Sequence, residues 1–166
     1  MAVIGVDTDH DKLTVTVTSD FDAPVERVWE LWADPRRLER WWGPPSYPAR
    51  FETHDLSPGG EVRYVMTGPD GDRYAGLWRV TDVDPPFVLR FDDVFTDVEW
   101  RPVSGRPVTR VDVQLDARDD GTRMVLHASF TSRRDLEQWL STGTREGLTR
   151  AVAQMDGLIR RGPSSG

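Results

Sequence analysis

The residue with the most chemical potential in this chain is an aspartate on the apolar side of a strand. In "FVLRFDDVF", alternate positions put Leu89, Phe91, Asp93 and Phe95 on one face, because strand side chains alternate with period two. A carboxylate among apolar neighbours is expensive to bury unless it is partnered. Asp93 therefore either ends its strand or marks a bulge, or it faces an interior space with Tyr64, Tyr74 or an arginine as partner. In the second case it would orient a ligand hydroxyl or act as an acid or base. The remaining reactive residue types form no constellation. His10 lies in the N-terminal segment, His54 ends a strand and His127 falls on the outer face of its own. They have no metal-ligand spacing, and no cysteine could complete a site. No serine sits in a nucleophile elbow, and "GPDG" and "SPGG" are hairpin turns rather than phosphate cradles. Neither a metal nor a cofactor is expected, and the sequence leans away from an enzyme.

A second cluster could recognise rather than react. In "RRLERWWGPPSYPARF", Trp41 and Trp42 are followed at once by Gly43, Pro44 and Pro45, which stop any helix that carries them. Adjacent residues point in different directions. One tryptophan is then a core residue and the other a half-exposed staple, or the pair contacts a ligand or partner.

The elements that must position these residues are legible from periodicity. "KLTVTVTSDF" alternates Leu13, Val15, Val17 and Phe21 against threonines, the pattern of a half-buried strand. Val25, Val28, Trp29 and Trp32 recur at three and four, predicting a short helix with Pro24 near its first turn. Asp34-Pro35 reads as an N-cap and first position of a second short helix that ends at Gly43. From there to about Ser132 the signal is β, punctuated by "LSPGGE", "GPDGD", "DPP" and "RDDGT", with a loop and strand fragment over Thr96 to Thr109. Strands that follow one another without helices between them predict an antiparallel sheet. Leu136, Leu140, Leu148, Ala151, Val152, Met155, Leu158 and Ile159 share one helical face, predicting a single long helix from about Arg133 to Arg160. Ser132 with Asp135 is its capping signal, while Gly143 and Gly147 weaken its middle by about 1 kcal/mol each.

One helix is too narrow to fill the concavity of a twisted sheet, so a cavity is expected beside it. Strand parity assigns Tyr64 and Met66, then Tyr74 and Trp78, then Phe91 and Asp93, to its wall. Met124 and Leu126 join them from the last hairpin, with Phe51 on the strand before Tyr64. Trp41 and Trp42 stand near the wall or mouth, and Trp139 and Leu140 on the long helix lie near the mouth. The same side chains would equally serve as a closed core.

The 166 residues are expected to form a single domain at 12–161, with a flexible N-terminus at 1–11 and a disordered, frayed or cloning-derived tail at 162–166. A formal charge of −7 and a pI near 4.9 argue against a nucleic-acid partner. No apolar run reaches the roughly 20 residues of a membrane span, and no export signal opens the chain. A cytoplasmic location is the expectation.

Five stretches in order, "FDAPVERVWELWADPRRLERWWGP", "DLSPGGEVRYVMTGPDG", "VTDVDPPFVLRF", "DDGTRMVLHASF" and "TREGLTRAVAQMDGLI", resemble the START-like or SRPBCC superfamily. Within it they are similar to the branch named for the activator of heat shock protein 90 ATPase. The resemblance implies an α+β helix-grip fold: a curved antiparallel sheet, here of six or seven strands, wrapped around a long C-terminal helix. Two short helices would follow the first strand. It implies less about activity, because the superfamily contains lipid carriers, hormone receptors, cyclases and co-chaperones. The leading expectation is a binding protein for a small hydrophobic or aromatic molecule. The alternatives are a chaperone-partner module and a cyclase- or hydrolase-like enzyme using the same cavity. The chain shows one domain where chaperone activators of this branch usually carry a second, which favours the ligand. A homodimer stays open.

Overall fold

The alternation of "KLTVTVTSDF" becomes strand β2 (Thr14–Phe21), whose inward residues Val15, Val17 and Phe21 are all buried. The computed structural model describes residues 3–160. β2 is preceded by β1 (Val3–Asp9) and followed by helices α1 (Val25–Ala33) and α2 (Pro35–Leu38). Six strands come next: β3 (Ala49–His54), β4 (Glu61–Thr67), β5 (Arg73–Asp84), β6 (Val88–Thr96), β7 (Thr109–Arg118) and β8 (Gly121–Ser129). Helices α3 (Arg133–Ser141) and α4 (Thr144–Arg160) end the described chain. The strands form one antiparallel sheet in the order β1-β2-β8-β7-β6-β5-β4-β3.

Three expectations are corrected. The sheet has eight strands, not six or seven, and the short helices follow the second strand. The added strand is β1, in the segment expected to be flexible. It pairs with β2 through the backbone while Ile4 and Val6 stay exposed, so no buried face wrote a period into its sequence. The tail at 162–166 lies outside the described residues.

The third correction concerns the terminal helix, which is two helices rather than one. Gly143 has φ +77°, a left-handed conformation that a glycine adopts freely. Ahead of it, Ser141 Oγ donates to Gln138 O at 2.8 Å and Thr142 Oγ1 donates to Trp139 O at 2.9 Å. These hydroxyls take carbonyls that a continuing helix would use. The amphipathic face survives the break: Leu136 and Trp139 are buried on α3, and Ala151, Val152, Met155 and Ile159 on α4. Ser132 Oγ accepts from Asp135 N at 3.1 Å, the expected cap.

α4 packs on β1, β2 and α1, while α1 also leans on β7 and β8 and α2 on β3. Met155 and Ile159 join Val28, Trp32 and Leu38 in the main core. Arg27 Nη2 donates to Ile159 O, tying α1 to the end of α4. Asp34 caps α2 by accepting from Arg36 N at 2.9 Å. Beside the α3–α4 break, between that helical segment and the sheet, a cavity remains.

Candidate functional site

The chain from α2 to β3 builds one end of that interior. Helix α2 stops at Leu38, and the turn that follows points the two tryptophans in different directions. Trp41 is fully buried, donates Nε1–H to Leu31 O at 2.8 Å, and sets its ring edge-on to Trp32 with 4.7 Å between centroids. Gln154 of α4 donates to Trp41 O at 3.1 Å and Gly43 O at 2.7 Å, fixing the turn against the helix. Trp42 is only partly buried and faces a cavity of about 470 Å³.

The cavity floor comes from the sheet: Tyr64 and Met66 of β4, Asp93 and Phe95 of β6, Val111 of β7, and Leu126 with Ala128 of β8. The facing wall comes from the helix break, with Thr142, Gly143, Thr144, Gly147 and Leu148 beside Trp139. Pro44, Tyr47, Tyr74 and Arg106 complete the rim, where Tyr74 is 55% exposed. The lining is mostly apolar with a few placed polar groups, the composition of small-molecule sites.

Strand β6 grades this space from sealed to open. Phe91 is buried and stacks on Trp78 with centroids 4.0 Å apart. Two residues on, Asp93 lines the cavity, and two further on Phe95 does the same beneath the Arg106 guanidinium, which lies 4.4 Å from its ring centroid. Asp93 is neither a strand end nor a bulge, since it pairs in register with Trp78 on β5 and Thr109 on β7. Its partner is Tyr64, whose hydroxyl donates to Asp93 Oδ1 at 2.9 Å.

Burial pushes the Asp93 carboxyl up to about 7, and the Tyr64 hydrogen bond offsets only part of that. Tyr64 itself is raised well above the ordinary phenol range by burial, then by the Asp93 charge and the hydrogen bond to it. At the rim, the Tyr47 hydroxyl donates to Asp72 Oδ2 at 2.6 Å, and that bond pushes its pKa up to about 12. Such groups make a hydrogen-bonding end in an otherwise apolar space, with an acid that titrates near neutrality.

The residues assigned to the wall from sequence separate into two groups. Trp42, Tyr64, Met66, Tyr74, Asp93, Leu126 and Trp139 line the cavity. Trp41, Phe51, Trp78, Phe91 and Met124 do not; each is at most 2% exposed and belongs to the packed core. Parity chooses the face but not the position along it, and these five sit where α1, α2 and α4 close over the sheet. Phe51, the register partner of Tyr64, has its ring centroid 5.5 Å from that of Tyr64 and 5.8 Å from that of Trp78, so it packs beside the floor. Arg106, Tyr47 and Thr142 were missed, because loop and helix-end residues carry no period to read. Among the described residues, no three of His, Cys, Asp or Glu cluster as metal ligands, and no helix is long and apolar enough to cross a membrane.

A curved antiparallel sheet closed by a C-terminal helical segment, with a cavity between them, defines a START-like protein. The pattern of the family described as Activator of Hsp90 ATPase homolog 1-like protein matches residues 22–160, and the chain belongs to that family. The crystal structure of protein Ms6760 from Mycobacterium smegmatis is 43% identical, covers 99% of each chain and superposes with a TM-score of 0.89. A solution structure of a protein from Arthrobacter aurescens is 41% identical over 98% of this chain and 94% of its own, with a TM-score of 0.92. A protein from Staphylococcus epidermidis shares the fold at a TM-score of 0.81 and 16% identity, over 98% of each chain. A search of curated proteins found no match.

Proposed function

We propose that this chain binds a small, largely apolar or aromatic molecule between the sheet and the α3–α4 segment. The observation that carries the reading is the cavity of about 470 Å³, apolar along most of its lining and polar at Tyr64 and Asp93. START-like folds commonly bind hydrophobic ligands, which agrees with it. Full burial of Trp41 also weighs against the Trp41–Trp42 pair as a partner surface, because only Trp42 has exposed area to offer.

Gly147 lines the cavity, and a Cβ built on it meets nothing within 4 Å. Gly147→Phe should therefore fill the space while improving local helix propensity. Naphthalene added to the unmodified chain should raise the melting temperature, because it binds only the folded form. It should also give a saturable heat in calorimetry, and Gly147→Phe should abolish both responses. A folded chain that shows neither response would overturn the reading.

A further inference from the structure

Two ionisable side chains that line the cavity, Asp93 and Arg106, have no oppositely charged partner among the described residues. Tyr64 occupies Asp93 Oδ1, whereas Oδ2 has no hydrogen-bond partner among the described residues. Arg106 likewise makes no hydrogen bond or ion pair among them; its guanidinium is held only by the face of Phe95. The two charges are not paired with each other. Asp93 and Phe95 are alternate residues of β6, so their Cα atoms stand about 7 Å apart along one face, and Arg106 lies over the ring of the second. Arg106 is exposed at the rim, and Asp93 is deeper, beside the fully packed Phe91–Trp78 stack. An isolated carboxylate inside and an isolated guanidinium outside give the cavity a direction.

Resting on the ligand reading above, we propose that the cavity selects a two-ended aromatic molecule. Its inner end carries a hydroxyl or N–H that donates to Asp93, and its outer end carries an anionic group that meets Arg106. With Asp93 ionised, above pH 7, the inner end calls for a donor, because the Tyr64 proton is already directed at Asp93 and the pair presents oxygen lone pairs to the cavity. A hydrogen bond to a charged oxygen in low-dielectric surroundings is among the stronger kinds. The outer end calls for an anion because guanidinium pairs with carboxylate in a forked geometry, and stacking on Phe95 leaves its N–H edge free. The flat, apolar body between them is met by Trp42, Leu126, Trp139 and Leu148.

Calorimetry with four probes at about pH 8 tests this: naphthalene, 2-methoxynaphthalene, 2-naphthol and 6-hydroxy-2-naphthoate. The expected order in the unmodified chain is 2-naphthol at least about 10-fold tighter than 2-methoxynaphthalene, which can accept but not donate. The hydroxynaphthoate should be several-fold tighter again. Asp93→Asn should shrink the hydroxyl-over-methoxy preference to within about 3-fold, and Asp93→Leu serves as a second variant that removes both oxygens. Arg106→Gln, at an exposed position, should erase the gain from the carboxylate and leave the hydroxyl preference intact. Equal binding of 2-naphthol and 2-methoxynaphthalene would overturn this proposal and leave the ligand reading standing. So would a hydroxyl preference that survives in Asp93→Leu, or a carboxylate gain that survives in Arg106→Gln. If no probe binds, naphthalene included, the reading and the proposal fall together.

Discussion

Tyr64 lies across Gly76: a Cβ built on the glycine would stand 2.3 Å from the tyrosine hydroxyl oxygen and 2.5 Å from the ring carbon that bears it. The two are register partners on β4 and β5. Because β5 has no side chain at that point, the phenol passes over it and reaches Asp93 on β6. The glycine thus makes the hydrogen bond between non-adjacent strands geometrically open. It also shows that position 76 lies under the floor of the cavity, so enlarging it would disturb Tyr64 before it filled any space.

Gly76→Ala should therefore push the Tyr64 ring off its seat and destabilise the fold by about 1–3 kcal/mol. Urea denaturation measures the loss, and a double-mutant cycle locates it. In a Tyr64→Leu background the alanine should be nearly neutral, since the atoms it strikes are gone. An equal loss in both backgrounds would place the clash elsewhere.

The raised Asp93 pKa predicts a stability difference that depends on pH in a fixed direction. An unfolded aspartate ionises near 3.8, the folded one near 7. Between those values the folded chain holds a proton that the unfolded chain releases, so stability falls as pH rises through this window. The linkage relation caps the loss at about 4 kcal/mol, and water in the cavity reduces it. The other ionisable groups lining the same cavity are Tyr47, Tyr64, Tyr74 and Arg106, and its sheet neighbours Trp78 and Thr109 carry no charge. Asp93→Asn should gain on the unmodified chain steadily from pH 4 to about pH 7.5 and hold that gain above it. Parallel stability curves for the two proteins would show that Asp93 ionises normally.

Met155 is fully buried among α1, α2 and the sheet. Met155→Ala should cost about 2–5 kcal/mol by leaving a void that a close-packed core cannot wholly collapse. Chemical denaturation that shows no loss would contradict its place in the core.

At the helix break, a Cβ on Gly143 meets nothing within 4 Å, so its conformation is the only obstacle to a side chain. Gly143→Ala should lower stability by about 1–2 kcal/mol, the penalty of a left-handed L-residue, and Gly143→Asn by less. Thermal denaturation of the pair distinguishes this from a packing effect, which would make the larger asparagine the worse of the two.

Local rules account for what was readable in the sequence alone. Period two in "KLTVTVTSDF", the Asp34-Pro35 start of α2 and the Ser132–Asp135 cap each depend on neighbours within a turn or a few residues, and each appears as expected. Parity also placed Tyr64 and Asp93 on the same face of the sheet, because alternation is a property of the backbone itself. β1 could not be read, since Ile4 and Val6 stay exposed and its place beside β2 and against α4 is set by elements distant in sequence. Nor could the helix break: Gly143 and the hydroxyls of Ser141 and Thr142 are compatible with a weakened helix until the carbonyls they take are known. Which wall residues meet open space was decided by tertiary structure alone. Trp78 and Tyr64 obey the same parity on neighbouring strands, yet one is sealed by Phe91 and the tryptophans of the α1–α2 region while the other borders the cavity. A void is the distance between elements far apart in sequence, and no residue type or spacing records it.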